Sequence, residues 1–464
     1  MRRRVSELCG RHCATLLPLF LFLIVGPTET QVPQAPPVRS NPPIQIQIGH
    51  SVVPLNGPWK FHTGDDPRWA ETAFDDSSWE SVDLTPAEGS HDADVGLSGY
   101  VPGWTAKGHA NYSGFAWYRF HILIDSPAGE ELSLAGPPDV DDAYQLFVDG
   151  KLLGSAGDFS HATPVVLSIQ PRMFPLRSLP SETPGSNARD AVVAFRVWMA
   201  ANSLTGNPDA GGIHIAPSLG TTTGIAARYQ VEWLETFRGY VVDAVEPILF
   251  VLLAILACAI IPFDPNDSAY GWLAIALVTT ALVRANQAFF FWTQLESIKT
   301  FMLAKEVILV PLGLAAWTMA WRAWFRTERT QWIPRVVAIL CALYVAAQFI
   351  LWLASPRTNG FLGALSVLAT SARLAFVALL LLTIVSGAKR IGVGAWLDVL
   401  AALLIMTGLF AQELSLLHVP SIWFPFGTGV PRTQFAYAGF AVVLFLLLLR
   451  RLRGFAQHHH QIHA

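Results

Sequence analysis

From residue 241 to residue 450 the chain is one apolar run after another, and this limits the fold more than any other feature. Seven segments, about 241–262, 270–292, 301–322, 333–354, 361–385, 394–417 and 433–450, stand out. Each holds roughly 18 to 25 residues, enough to cross a bilayer with some tilt. Hydrocarbon offers backbone N–H and C=O groups no partner, so such segments must be helices. Residues 30–235 are different, being rich in Asp, Glu, Gly and Pro. Only 14% of all residues are charged and the mean hydropathy is +0.40, whereas a soluble domain carries about a quarter charged residues. One part of the chain is therefore expected in water and the other in a membrane.

The net charge of −3 supplies no basic field for nucleic acid. Of the four cysteines, Cys9 and Cys13 precede the first apolar run, and Cys258 and Cys341 lie in later ones. The polar part has none, so it must hold together by core packing rather than by disulfides. The start, "MRRRVSELCGRHCATLLPLFLFLIVG", has a basic head and an apolar stretch too short to cross a membrane. It reads as a secretory signal peptide over 1–29, followed by a Pro-rich linker over 30–43. The next segment, 44–225, is then exported, with a connector at 226–240, a membrane domain at 241–450 and a short tail at 451–464.

Basic residues orient the membrane part. With the polar domain outside, the outer connections hold Lys299, Arg357 and Arg432, one each. Of the inner ones, "FDPNDS" after the first span has no basic residue, and the rest hold Arg322, Arg326, Arg329 and Arg335, then Lys389 with Arg390, then Arg450, Arg451 and Arg453. This positive-inside bias fits seven spans with the C-terminus in the cytoplasm. The expected location is a bacterial inner membrane, with the N-terminal domain periplasmic or extracellular.

Between 44 and 225, runs such as "IQIQI", "WKFHT", "YRFHILI", "ELSLAG", "YQLFVDGKLLGSAG", "PVVLSI", "AVVAFRVWMA" and "GGIHIAP" alternate apolar and polar residues. They predict strands, and Asp149-Gly150 predicts a hairpin turn. The fold class is all-β, a jelly-roll sandwich, followed by an α-helical seven-transmembrane bundle. In order, "LNGPWKF", "FDDSSW", "GFAWYRFHI" and "LFVDGKLLG" resemble the N-terminal, galactose-binding-like domain of glycoside hydrolase family 2. Trp59, Phe61, Trp79, Trp117 and Tyr118 fall at the matching positions and, as large rings on strands, are expected in the core. Asp75 and Asp76 read as turn or cap residues. In that family the two catalytic carboxylates come from a separate barrel, and here a membrane domain follows, so no enzyme is expected.

Sugar recognition needs rings to stack on and polar groups to bond hydroxyls. The loop "GYVPGWTAKGHANYSG" offers Trp104, His109, Asn111 and Tyr112. The stretch "DVDDAYQLFVDGKLLGSAGDFSH" offers Asp141, Asp142, Asp158 and His161, and its acidic residues equally suit a structural Ca²⁺. No other cofactor is expected. Within the spans, Glu246, Arg284, Lys305, Glu306, Arg373 and Glu413 are the candidates for coupling. A charge at a span's centre costs about 2.5–3.5 kcal/mol on insertion scales. Arg373 should therefore face the bundle and pair with Glu413, Glu246 or Glu306.

A signal peptide, a carbohydrate-module-like sandwich, seven spans and an inside C-terminus resemble the bacterial seven-transmembrane receptors with diverse intracellular signalling modules. The resemblance implies a small-molecule or carbohydrate ligand and a homodimer in the lipid. It also implies a cytoplasmic kinase-type or phosphatase-type output. The residues after the last span are too few to fold as such a domain, so the expected output is a separate partner. The alternative is a transporter or channel-like protein with an exported capture domain.

Overall fold

The structure is a computed structural model of the 464-residue chain. It describes residues 43–48, 52–92, 97–126, 130–176, 188–204, 209–327, 331–354, 360–415 and 432–463. The signal peptide and nearly all of the Pro-rich linker lie outside the described residues.

Two sheets face one another. The larger runs β4 (Glu80–Val82), β3 (Trp59–Thr63), β5 (Gly114–Asp125), β11 (Ala188–Met199), β8 (Ala143–Val148), β9 (Lys151–Ala156). A further strand, β1 (Ile44–Gln47), pairs in parallel with the far half of β5. The smaller sheet runs β10 (Met173–Pro175), β6 (Leu132–Ala135), β13 (Ser218–Thr221), β2 (Val52–Pro54). A short pair, β7 (Val140–Asp141) and β12 (Gly212–Ile213), closes one end.

The alternation along β5 shows why these residues make a sandwich. Tyr118, Phe120, Ile122 and Ile124 point between the sheets, and with Trp59, Phe61, Phe195 and Leu134 they form the main core. Trp117 and Arg119 point to the other face, as a strand's period of two requires. There a second apolar cluster of Ala70, Trp79, Trp117 and Ala194 is covered by the chain between β3 and β4. The five aromatic residues expected in the core are all buried. The Asp149-Gly150 hairpin has both residues at positive φ, 48° and 77°, the twist-matched form that Asp-Gly favours.

The apolar part is helical. Helices α1 (Thr222–Ile260), α2 (Ala269–Trp292), α3 (Ile298–Trp324), α4 (Trp332–Leu353), α5 (Gly360–Ile391) and α8 (Arg432–His463) contain the six stretches among the described residues long and apolar enough to cross a membrane. The segment expected at 394–417 comes as a shorter α6 (Trp396–Leu409) and a single turn α7 (Ala411–Ser415), interrupted at Phe410. Two further expectations need correction. The connector placed at 226–240 is not separate: the helix starts at Thr222 and runs unbroken through it. The strand expected at "PVVLSI" is absent apart from one bridge at Val165, because that backbone bonds to the membrane part instead.

Candidate functional site

Three places concentrate polar groups. The first is the end of the sandwich closed by β7 and β12, where buried acids meet a histidine. His214 is 2% exposed and stacks on Tyr100, with ring centroids 4.8 Å apart. Its Nδ1 lies 3.0 Å from the Val101 carbonyl and its Nε2 3.2 Å from Asp141. Both ring nitrogens face acceptors, so the ring is held as the imidazolium. Burial works against that charge, but the Asp141 hydrogen bond and the nearby carboxylates outweigh it and push His214 up to about 9. For Asp141, burial opposes ionisation, and the His214 contact more than offsets it, leaving the carboxyl below its usual range. For Asp142, burial and the Asp141 charge win and push it up to about 6.

The carboxylates of the acidic pair are engaged within the chain. Asp141 accepts from the Gly211 amide at 2.8 Å, and Asp142 accepts from the Ala200 amide at 2.8 Å and from Ser203. These carboxylates hold loops to the sandwich, and no group of three metal-ligating side chains occurs among the described residues.

The candidate ligand residues do not converge on one exposed surface. Trp104 is buried, donates to the Tyr112 carbonyl at 3.1 Å and lies against Gly211, where a Cβ would come within 2.3 Å of its ring. It offers no stacking face. His109 contacts Glu80 at 2.9 Å. Asn111 is exposed, in the left-handed region that Asn tolerates. Tyr112 accepts from the Gly64 amide and donates to the Phe115 carbonyl. Asp158 caps its own turn through the Ser160 amide, and both it and His161 are exposed. Phe115, Phe159, Trp198 and Arg196, none of them a sequence candidate, form a partly exposed platform on the outer face of the larger sheet. The Arg196 guanidinium lies 4.0 Å from the Phe115 ring centroid and bonds Asp65 and Gln145. Tyr112 adjoins this platform through the Phe115 carbonyl, and Asp158 and His161 flank Phe159 in sequence. Alternation along β5 and β11 placed Phe115, Arg196 and Trp198 on the outer face, and that was the available signal.

The second place is the junction of sandwich and helices. Thr221 ends β13, and its side chain caps α1 by accepting from the Gly224 amide at 3.1 Å. On the other side, the segment 166–172 meets the turn between α2 and α3. The Ile298 amide donates to the Val166 carbonyl at 2.9 Å, and Arg172 donates to Gln294 at 2.8 Å. Ser168 and Gln170 reach the Phe291 carbonyl. These side chains are ordinary in sequence, and nothing there marked them as contacts.

The third place is a set of charged residues that pair between and along the helices. Arg284 of α2 bonds Glu246 at 2.7 Å and also Asp243, both on α1. Gln287 accepts a further bond at 3.2 Å, and the guanidinium lies 5.5 Å from the Tyr437 ring centroid. Arg373 of α5 pairs with Glu413 through Nε and Nη2, and Nη2 also donates to the Leu409 carbonyl at 3.2 Å. Glu306 of α3 accepts from Tyr344 at 2.7 Å and meets Lys305 at 3.3 Å. Of the three partners considered for Arg373, Glu413 is the one it bonds. Asp243, which is not among the coupling candidates, shares Arg284 with Glu246. The Tyr437 ring lies against Gly408, which has no side chain to obstruct it, and so the two arginine clusters are joined through the end of α6.

No family model and no curated protein matches the chain. Solved structures of glycoside hydrolases are similar over about a third of it. The β-glucuronidase of Bacteroides uniformis shares 21% identity, covering 36% of this chain and 17% of that one, with a TM-score of 0.25. A glycosyl hydrolase family 2 member from Bacteroides cellulosilyticus shares 20% identity over 37% of this chain and 20% of that one, with a TM-score of 0.25. The β-glucuronidase of Faecalibacterium prausnitzii shares 14% identity over 36% and 31%, with a TM-score of 0.23. The chain spans less than a third of the length of each.

Proposed function

We propose that this chain is a membrane receptor whose sandwich binds a ligand outside the cell and passes the event to its helices. The observation that carries the reading is the direct passage of β13 into α1. β13 lies inside its sheet, between β6 and β2, and Thr221 serves as both the last strand residue and the helix cap. A shift of the smaller sheet is therefore a shift of the first membrane helix, and the 166–172 contact carries motion to the turn after α2. In this proposal the sandwich is a galactose-binding-like jelly roll and carbohydrates are the first ligand class to test. The seventh crossing is α6 with α7, the C-terminal helix faces the cytoplasm of a bacterial cell, and a cytoplasmic kinase-type or phosphatase-type partner reads the output. Pairing of two chains in the lipid fits the same reading.

The test is thermal unfolding of the full chain in detergent against a panel of mono- and oligosaccharides. A ligand at 100 times its dissociation constant stabilises the native state by about 2.7 kcal/mol. A rise for one sugar class, and its loss on Arg196→Ala, supports carbohydrate sensing at the outer platform. A flat panel removes carbohydrate from the proposal.

One observation favours a second reading, a transporter. α3 carries a π-helical turn at Leu303–Leu309, and α6 is interrupted at Phe410, both beside the Arg373 cluster. Discontinuous helices at mid-membrane are where transporters bind their substrates. Flux of a solute into liposomes containing the chain would favour this reading over the first.

A further inference from the structure

The two clusters in the membrane differ in their charge balance. Around Arg373 the charges match: Arg373 and Lys305 against Glu413 and Glu306. Around Arg284 they do not, since one guanidinium faces two carboxylates, Asp243 and Glu246. Among the described residues no second cation bonds either acid. All three side chains are buried, and Glu246 is 3% exposed. Its Oε2 takes the Arg284 bond, while its Oε1 is buried with no partner.

Among the described residues, the groups around the cluster do not restore neutrality. From α2 come Arg284 and Gln287, and from α8 comes Tyr437, a neutral ring over the guanidinium. The strands packed on α1 meet its first turns, where Arg228 and Glu232 pair with each other. One residue beyond Glu246 stands Pro247, inside the helix. It has no amide hydrogen, so the carbonyl four residues back, that of Asp243, lacks its usual helical partner. A lone carboxylate oxygen and a carbonyl without its amide thus belong to the same turn. An uncompensated charge in hydrocarbon costs several kcal/mol.

We propose that Glu246, with Asp243, forms a binding site for one small monovalent cation, a proton or Na⁺, within the membrane. The bound cation restores neutrality beside Arg284. A proton would sit on Oε1, and Na⁺ would draw on Oε1 and the neighbouring carbonyl. This site is independent of any ligand of the sandwich.

The test uses the full chain in nanodiscs and infrared difference spectra at neutral pH, comparing NaCl with choline chloride at equal ionic strength. If the ligand is a proton, wild type shows the carbonyl stretch of one protonated carboxyl in choline chloride, and Glu246→Gln loses it. If the ligand is Na⁺, exchanging choline for Na⁺ shifts the carboxylate bands of wild type and leaves those of Glu246→Gln unchanged. Asp243→Asn provides a second variant that keeps Glu246 in place. It leaves one carboxylate for one guanidinium, so it should lose the same signal while retaining helix content. Spectra indifferent to Na⁺, with no protonated carboxyl lost in either variant, overturn the proposal.

Discussion

Arg119 in the sandwich and Arg284 in the bundle are both buried arginines, and they are satisfied by opposite means. Arg119 bonds one carboxylate, Asp76, at 2.7 Å, and otherwise takes backbone carbonyls of Trp69, Glu71 and Phe74. Arg284 bonds two carboxylates and an amide side chain. Irregular chain over a sheet leaves carbonyls free, whereas a helix uses its own carbonyls in its ladder. Arg373 fits between them, since the one carbonyl it takes is that of Leu409, the last residue of α6. A buried cation thus draws on backbone where the backbone is irregular and on side-chain charge where it is not.

The largest test of this comparison is Arg119→Ala. It leaves Asp76 buried beside His121 alone and should cost the sandwich about 3–5 kcal/mol in denaturant unfolding. Adding Asp76→Asn should recover only part, because the loop carbonyls stay unpaired. In the bundle the recovery should be larger. Arg373→Ala should lower thermal stability in detergent by roughly 3 kcal/mol, and Arg373→Ala with Glu413→Gln should regain most of it, since a single carbonyl is left over. Equal recovery in the two places would break the comparison.

His214 extends the rule to a fourth cation, with one backbone carbonyl and one carboxylate. Its proton is held more tightly in the folded state, so its contribution is complete below its unfolded pKa of about 6.5 and is lost as pH rises through about 9. The sandwich should lose on the order of 3 kcal/mol across that window, and His214→Gln should flatten the profile. The smallest effect is expected where the two regions meet. Arg172→Ala removes one partly buried bond worth about 1 kcal/mol, so amide exchange at Ile298 should quicken roughly five-fold while global unfolding stays nearly unchanged.

Much of the sandwich was legible because a strand's period is simple. Tyr118, Phe120 and Ile122 declare an inner face, and Asp149-Gly150 declares a turn. The helices were legible from length and apolarity alone. Partners were not, because they depend on residues far apart in sequence. Asp76 reads as a turn residue until Arg119, 43 positions later, is placed beside it. Trp104 reads as a sugar platform until Gly211 is found beneath it. "PVVLSI" has the pattern of a strand, and nothing local says that its backbone is bound to the α2–α3 turn. Arg373 and Glu413 could be paired in advance because hydrocarbon leaves few choices for a charge.

The passage of β13 into α1 also fixes an angle. A strand held on both sides by neighbours cannot rotate, and an α-helix turns about 100° per residue. The direction in which Asp243 and Glu246 face Arg284 is therefore set by the registry of β13 in its sheet, more than twenty residues away. One residue inserted after Thr221 would swing the acids about 100° off their partner. Seven inserted residues, close to two whole turns, would bring them back to nearly the original bearing, displaced along the axis by about 10 Å. The sheet acts as the protractor for a charge pair inside the membrane.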